Sequence, residues 1–181
     1  MKKFEEKTLK TEKIYDGKII TLQVDDVELP NGKTGKREIV KHPGAVAVIA
    51  LTKENKIILV EQYRKALEKS IVEIPAGKID KGEAPEATAL RELEEETGYT
   101  TSKLEYVQSF ATSPGFADEI IHLYFAKDIE KVESPLEMDE DEFVELLHVS
   151  IEEMGELVKI GAIYDAKTAF AYIWLKDYLG N

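Results

Sequence analysis

The chain has 181 residues, 43% of them apolar and 33% charged, with a formal net charge of −12 at pH 7 and no cysteine. That length suits one well-buried domain and is short for two. The acidity argues against partners held by phosphate neutralisation, so neither nucleic acid nor an anionic membrane is expected, and disulfide or thiolate chemistry is ruled out. No apolar run reaches the roughly 18–20 residues of a membrane span. The opening MKKFEEKTLKTEK lacks the apolar segment of a secretory signal, which leaves the cytoplasm as the default location.

In chain order, residues 18–42 read as a β-hairpin: KIITLQVDDVEL and KREIVKH flank PNGKTG, and Pro-Asn-Gly is a strong turn signal. After Pro43 and Gly44, AVAVIALT is a continuous apolar run that fits a strand buried on both faces. KEN turns the chain into KIILVEQYR, and IVEIPAG is a short strand ending in a Pro-Ala-Gly loop. Pro85 suits a first helical turn, EATALRELEEET follows, and Gly98 takes the position just past the helix end. KLEYVQSFAT and EIIHLYFAKDI are β-rich, ESPLEMDEDE is an acidic loop, and FVELLHVS is a further strand. Ser150 and Glu153 make a capping-box pattern for a helix over IEEMGELVKIG, and a last helix starts near Asp165. Many strands with few helices, not strictly alternating, predict an α+β or mixed α/β/α domain.

One stretch stands out physically. RELEEETG (91–98) crowds Glu92, Glu94, Glu95 and Glu96 into the C-terminal end of a helix, where the dipole is already negative and like charges repel. At 100° per residue Glu92 and Glu96 lie about 40° apart, Glu95 about 60° to the other side of Glu92, and Glu94 points away at about 200°. Three carboxylates therefore share a face, beside an apolar face of Ala89, Leu90, Leu93 and Thr97. Arg91 can pair with Glu95 one turn on. Converging carboxylates suit a hard divalent cation, whose charge would reverse the problem at the helix end. Most glutamate runs are merely solvated faces, so the triplet alone decides nothing.

The surrounding spacing does decide. Residues 77–99, GKIDKGEAPEATALRELEEETGY, fit G-x5-E-x7-R-E-U-x-E-E-x-G-U with Gly77, Glu83, Arg91, Glu92, Glu95, Glu96 and Gly98 at the fixed positions and Leu93 and Tyr99 as the bulky apolar ones. A chance match has odds on the order of one in a billion. This is the Nudix box, and the chain strongly resembles the Nudix hydrolases. The resemblance implies a loop–helix–loop against a mixed sheet in an α/β/α sandwich, and hydrolysis of a nucleoside diphosphate linked to another group. It divides the chain into an N-terminal β-hairpin segment, 1–42, suited to dimer formation, and a catalytic domain, 43–181.

The resemblance also assigns roles. Glu92 and Glu96 are the expected ligands of Mg²⁺ or Mn²⁺, Glu95 a ligand or a supporting partner, Ala76 a carbonyl ligand, and Arg91 the group that orients the carboxylates. Glu83 is expected to support the loop. SPGF (113–116), with Pro114 sixteen residues after Gly98, and the stretches REIVKHPGAVAV, VEQYRKALEKSIVEIPAG and DEDEFVEL resemble the ADP-ribose pyrophosphatase branch. From that branch Arg64 is expected to bind the diphosphate, Glu73 to act near the metals or terminal ribose, and Pro114 and Gly115 to border the substrate. Arg37 is a weaker candidate, equally readable as a surface charge. The general base would come from the acidic loop, Glu142 first and Glu140 second.

The implied reaction is Mg²⁺-dependent hydrolysis of ADP-ribose to AMP and ribose 5-phosphate by a homodimer. Another nucleoside diphosphate sugar such as GDP-mannose is the alternative. A non-catalytic ADP-ribose sensor is disfavoured because every box acid is present. Tyr15, Phe116 and Tyr124 read more naturally as packing aromatics than as adenine stackers.

Overall fold

The computed structural model describes residues 3–138 and 143–180. Its first part is an antiparallel sheet of β1 (Lys7–Asp16), β2 (Thr21–Glu28) and β3 (Thr34–Lys41), in that order. The expected hairpin is β2–β3. At its turn Gly32 takes φ 79°, a conformation glycine adopts without strain, and its N–H donates to the Leu29 carbonyl at 2.8 Å. Strand β1 was not expected. Its ten residues are exposed throughout, and KTLKTEKIYD carries no apolar alternation from which a strand could be read. These strands and residues 110–121 form one compact unit, in which the Val40 N–H donates to the Phe116 carbonyl at 2.7 Å.

The second unit comprises residues 45–109 and 122 onward. Its strands include β4 (Ala45–Leu51), β5 (Ile57–Arg64), β6 (Lys69–Glu73) and β7 (Ala76–Lys78). Helix α1 (Pro85–Thr97) is followed by β8 (Tyr99–Thr100), β9 (Leu104–Ala111), β10 (Ile120–Lys127), β11 (Glu130–Lys131) and β12 (Val144–Val149). Helices α2 (Ile151–Lys159) and α3 (Ala166–Gly180) close the chain. The large sheet runs β12-β5-β4-β10-β9, with β6 on β5 and β7 on β4, while β8 pairs with β11. IVEIPAG, expected as one strand and a loop, is divided into β6 and β7 around Ile74 and Pro75, since proline has no N–H for a ladder.

Side-chain alternation sets the layers. Strand β4 is buried at every position, as its unbroken apolar run requires. Val46, Val48, Ala50, Ile58, Tyr124 and Ala126 pack with Ala89 and Leu93 of α1. Phe125, between Tyr124 and Ala126, points to the opposite face, where its ring centroid lies 5.0 Å from Trp174 and 4.9 Å from Tyr178 of α3. The sheet thus lies between α1 and α3, the α/β/α sandwich. On α2 the capping box is complete, with Ser150 Oγ accepting from the Glu153 N–H at 3.2 Å and Glu153 Oε2 from the Ser150 N–H at 2.6 Å. Among the described residues no helix is long and apolar enough to cross a membrane.

Candidate active site

Helix α1 is the core of the site. It ends at Gly98, left-handed at φ 71°, whose N–H donates to the Glu94 carbonyl at 2.8 Å, and its last turn holds no basic residue. Ala89 and Leu93 are driven into the sheet, and the geometry of the helix carries Glu92 and Glu96 with them to only 7% and 4% exposure. Burying an unpaired carboxylate is costly, so each needs partners. Glu96 Oε2 accepts the Ala76 N–H at 3.0 Å, which fixes the start of β7 to the helix. Glu92 lies against Gly77 so closely that a Cβ there would sit 1.9 Å from its Cδ. The first glycine of the box is therefore a contact surface for a carboxylate.

Arg91 gathers the remaining acids. Its Nη1 donates to Glu92 Oε1 at 2.9 Å and Glu95 Oε2 at 2.7 Å, and its Nε and Nη2 to the two Glu83 oxygens at 3.1 and 3.0 Å. The Glu83 bonds, helped by the charges of Glu92 and Glu95, hold the guanidinium above its ordinary pKa against the opposing effect of burial. The same Arg91 bond holds the Glu83 carboxyl below the usual carboxylate range; burial works the other way, and a 2.8 Å bond from Thr88 Oγ1 assists. Glu83 thereby ties the loop after β7 to the first turns of α1.

Among the described residues no three His, Cys, Asp or Glu side chains are grouped as a ready metal cage, and Glu83, Glu92 and Glu95 close on Arg91. The donor set nevertheless fits a hard divalent cation: every side-chain donor is a carboxylate oxygen, and the two buried ones lie one helical turn apart on one face. Glu94 faces elsewhere, as the helical wheel predicts, with Oε1 accepting the Leu136 N–H at 3.1 Å. Glu94→Gln keeps a carbonyl oxygen for that bond, so kcat should stay within about twofold of wild type. A large loss in steady-state turnover would place Glu94 on the working face.

The other expected residues fall into three groups. Arg64, at the end of β5, donates through Nε to Glu73 Oε2 at 2.5 Å. Glu73 is 3% exposed and gives its other oxygen to Lys167 Nζ. In the first unit Arg37 is engaged by Glu6 through Nε at 2.8 Å and Nη2 at 2.5 Å. Ser113–Phe116 is a β-turn, the Phe116 N–H donating to the Ser113 carbonyl at 3.1 Å with Pro114 and Gly115 at its corners. Gly115 does not need a positive φ there, and a Cβ on it would meet open space. Glu140 and Glu142 lie outside the described residues.

Lys167, Asp165 and Thr168 were missed from sequence. Asp165 Oδ2 caps α3 by accepting the Thr168 N–H at 3.1 Å, and Thr168 Oγ1 accepts the Ile74 N–H at 3.1 Å. The available signal was Lys167 itself. A lysine in the first turn of a helix opposes the dipole, and so calls for an anion nearby.

The NUDIX domain profile matches residues 41–170, and that of the nucleoside diphosphate sugar hydrolase N-terminal domain matches residues 6–40. A Bacillus methanolicus protein described as methanol dehydrogenase activator is 65% identical over 180 residues, 98% of this chain and 97% of its own. The ADP-ribose pyrophosphatase of Bacillus subtilis (strain 168) is 61% identical over 181 residues, 99% of this chain and 98% of its own. A crystal structure of an ADP compounds hydrolase superposes with a TM-score of 0.84 at 22% identity, covering 97% of this chain and 95% of that one, a likeness of fold. With its box complete, its helix laid on the sheet and both profiles matched in succession, the chain belongs to the Nudix hydrolase family.

Proposed function

We propose that this enzyme hydrolyses ADP-ribose to AMP and ribose 5-phosphate with Mg²⁺, or Mn²⁺, in the cytoplasm. The observation that carries this reading is the full-length likeness to the Bacillus subtilis ADP-ribose pyrophosphatase, 61% identical. Nudix hydrolases use divalent metal ions. Here Glu92, Glu96 and Glu95, with the Ala76 carbonyl, would hold them, and Arg91 keeps Glu92 and Glu95 oriented. When bound, the metal supplies charge neutralisation for the diphosphate and acidifies the attacking water.

Arg64 grips the diphosphate by charge-assisted hydrogen bonds. Water adds to one phosphorus, the bond from that phosphorus to the bridging oxygen breaks, and the bridging oxygen leaves on the other phosphate. Glu142, or Glu140 in its place, takes the water's proton. Glu142→Gln should lower kcat about 10²-fold, the scale for loss of a general base. Turnover near wild type at saturating Mg²⁺ moves that role to Glu140 or elsewhere.

A panel of ADP-ribose, GDP-mannose, ADP-glucose, diadenosine polyphosphates, NADH and 8-oxo-dGTP, compared by kcat/KM with and without EDTA, tests the reading. ADP-ribose should lead. A faster GDP-mannose reaction selects the alternative substrate, and no cleavage with either metal sinks the enzyme reading. The 65% identity to a methanol dehydrogenase activator supports a second activity, stimulation of another enzyme. Such stimulation should vanish in Glu96→Gln if it passes through hydrolysis.

The segment 1–42 serves as a dimerisation arm for the catalytic domain 43–181. The support is β1, exposed along its whole length with Leu9, Ile14 and Tyr15 on its surface. Light scattering should give twice the chain mass.

A further inference from the structure

Glu73 is a buried carboxylate shared by two cations, and the first turn of α3 supplies one of them. Its Oε2 takes Arg64 Nε at 2.5 Å and its Oε1 takes Lys167 Nζ, which also donates to Asp165 Oδ2 at 3.0 Å. The cluster opens outward: side-chain exposure is 4% at Glu73, 10% at Lys167 and 18% at Asp165, but 39% at Arg64. Among the described residues the two terminal nitrogens of Arg64 carry no hydrogen bond. Two acids and two bases make the group neutral, with its accessible positive charge at the open end.

We propose that Lys167 is a positioning residue that neutralises Glu73 from behind, so that Arg64 is oriented through Nε while Nη1 and Nη2 stay available for the substrate's diphosphate. This rests on the reading that Arg64 binds that diphosphate. Arg37 shows the alternative within the same chain. Facing the carboxylate of Glu6, it closes a two-pronged pair through Nε and Nη2. Without Lys167, both oxygens of Glu73 are open to Arg64, and the buried anion draws the guanidinium into the same kind of pair. The guanidinium edge left open by this arrangement is what a diphosphate can use.

The test is steady-state kinetics of the full chain at saturating Mg²⁺ together with calorimetry of inorganic pyrophosphate binding. Lys167→Met should raise KM about tenfold while kcat stays within about threefold, the signature of lost uniform binding. Pyrophosphate affinity should fall by a similar factor. Lys167→Arg should restore both. Lys167→Gln, whose amide can still donate to Glu73 but carries no charge, should raise KM and weaken pyrophosphate binding in the same way as Lys167→Met.

If Lys167→Met does not fold, Lys167→Gln decides, since it keeps a hydrogen-bond donor beside the buried carboxylate. A raised KM there supports the proposal, and one near wild type overturns it. Unchanged KM and pyrophosphate affinity in Lys167→Met, or a fall in kcat alone, also overturns it. The KM factor should be the same for every nucleoside diphosphate sugar cleaved. A different preferred sugar therefore sinks the substrate reading and leaves this inference standing, and pyrophosphate binding decides it even without turnover.

Discussion

Glu96→Gln is expected to lower kcat by about 10²–10³-fold, and Glu92→Gln by a comparable factor, the range seen when one element of transition-state charge stabilisation is removed. The substitution is nearly isosteric. The glutamine carbonyl can still accept the Ala76 N–H that Glu96 Oε2 accepts at 3.0 Å, so β7 stays fixed to α1. What disappears is one buried negative charge on the face shared with Glu92. The melting temperature should hold or rise, because a charge has left the negative end of a helix without a basic residue in its last turn. Turnover measured across a Mg²⁺ titration checks this, with Glu94→Gln as the comparison. If Glu94→Gln and Glu96→Gln lose activity equally, the division of the helix into working and idle faces is wrong.

Gly77→Ala should be nearly as damaging to catalysis, about 10²-fold in kcat, for a different reason. The added Cβ would lie 1.9 Å from Glu92 Cδ and 2.1 and 2.2 Å from its oxygens. Gly77 is not held at positive φ, so alanine strains no backbone there. The atoms in the way belong to the end of a flexible side chain, so Glu92 yields and the backbone does not. The carboxylate leaves its place between Gly77 and Arg91 while the fold persists. A melting temperature close to wild type combined with a large loss of turnover is the expected pairing. Undiminished activity would mean that the contact between Glu92 and Gly77 has no part in catalysis.

The legible parts of this chain were those where local pattern and tertiary role coincide. The continuous apolar run of β4, the Pro85 start and Gly98 stop of α1, and the Ser150 capping box each carry their explanation within a few residues. The faces of the glutamates were readable because helical periodicity places Glu92 and Glu96 together and sends Glu94 elsewhere, while the spacing from Gly77 and Glu83 marked them as a box. Strand β1 was unreadable, since an exposed strand needs no apolar period and owes its conformation to pairing with β2. Lys167 offered only the local signal of a lysine in a first helical turn, and its partner, Glu73, 94 residues away, could not be named from spacing. The closeness of Gly77 to Glu92 is likewise a distance across the fold, and spacing can only indicate that a glycine is wanted.

Arg91 has a consequence for stability without metal. Many small metal-dependent domains stay unfolded until their ion arrives, because the ligands cannot be brought together without it. Here a cation encoded in the chain, Arg91, stands among Glu83, Glu92 and Glu95. The chain carries its own counter-charge for these acids, so after treatment with EDTA it should still unfold cooperatively on heating.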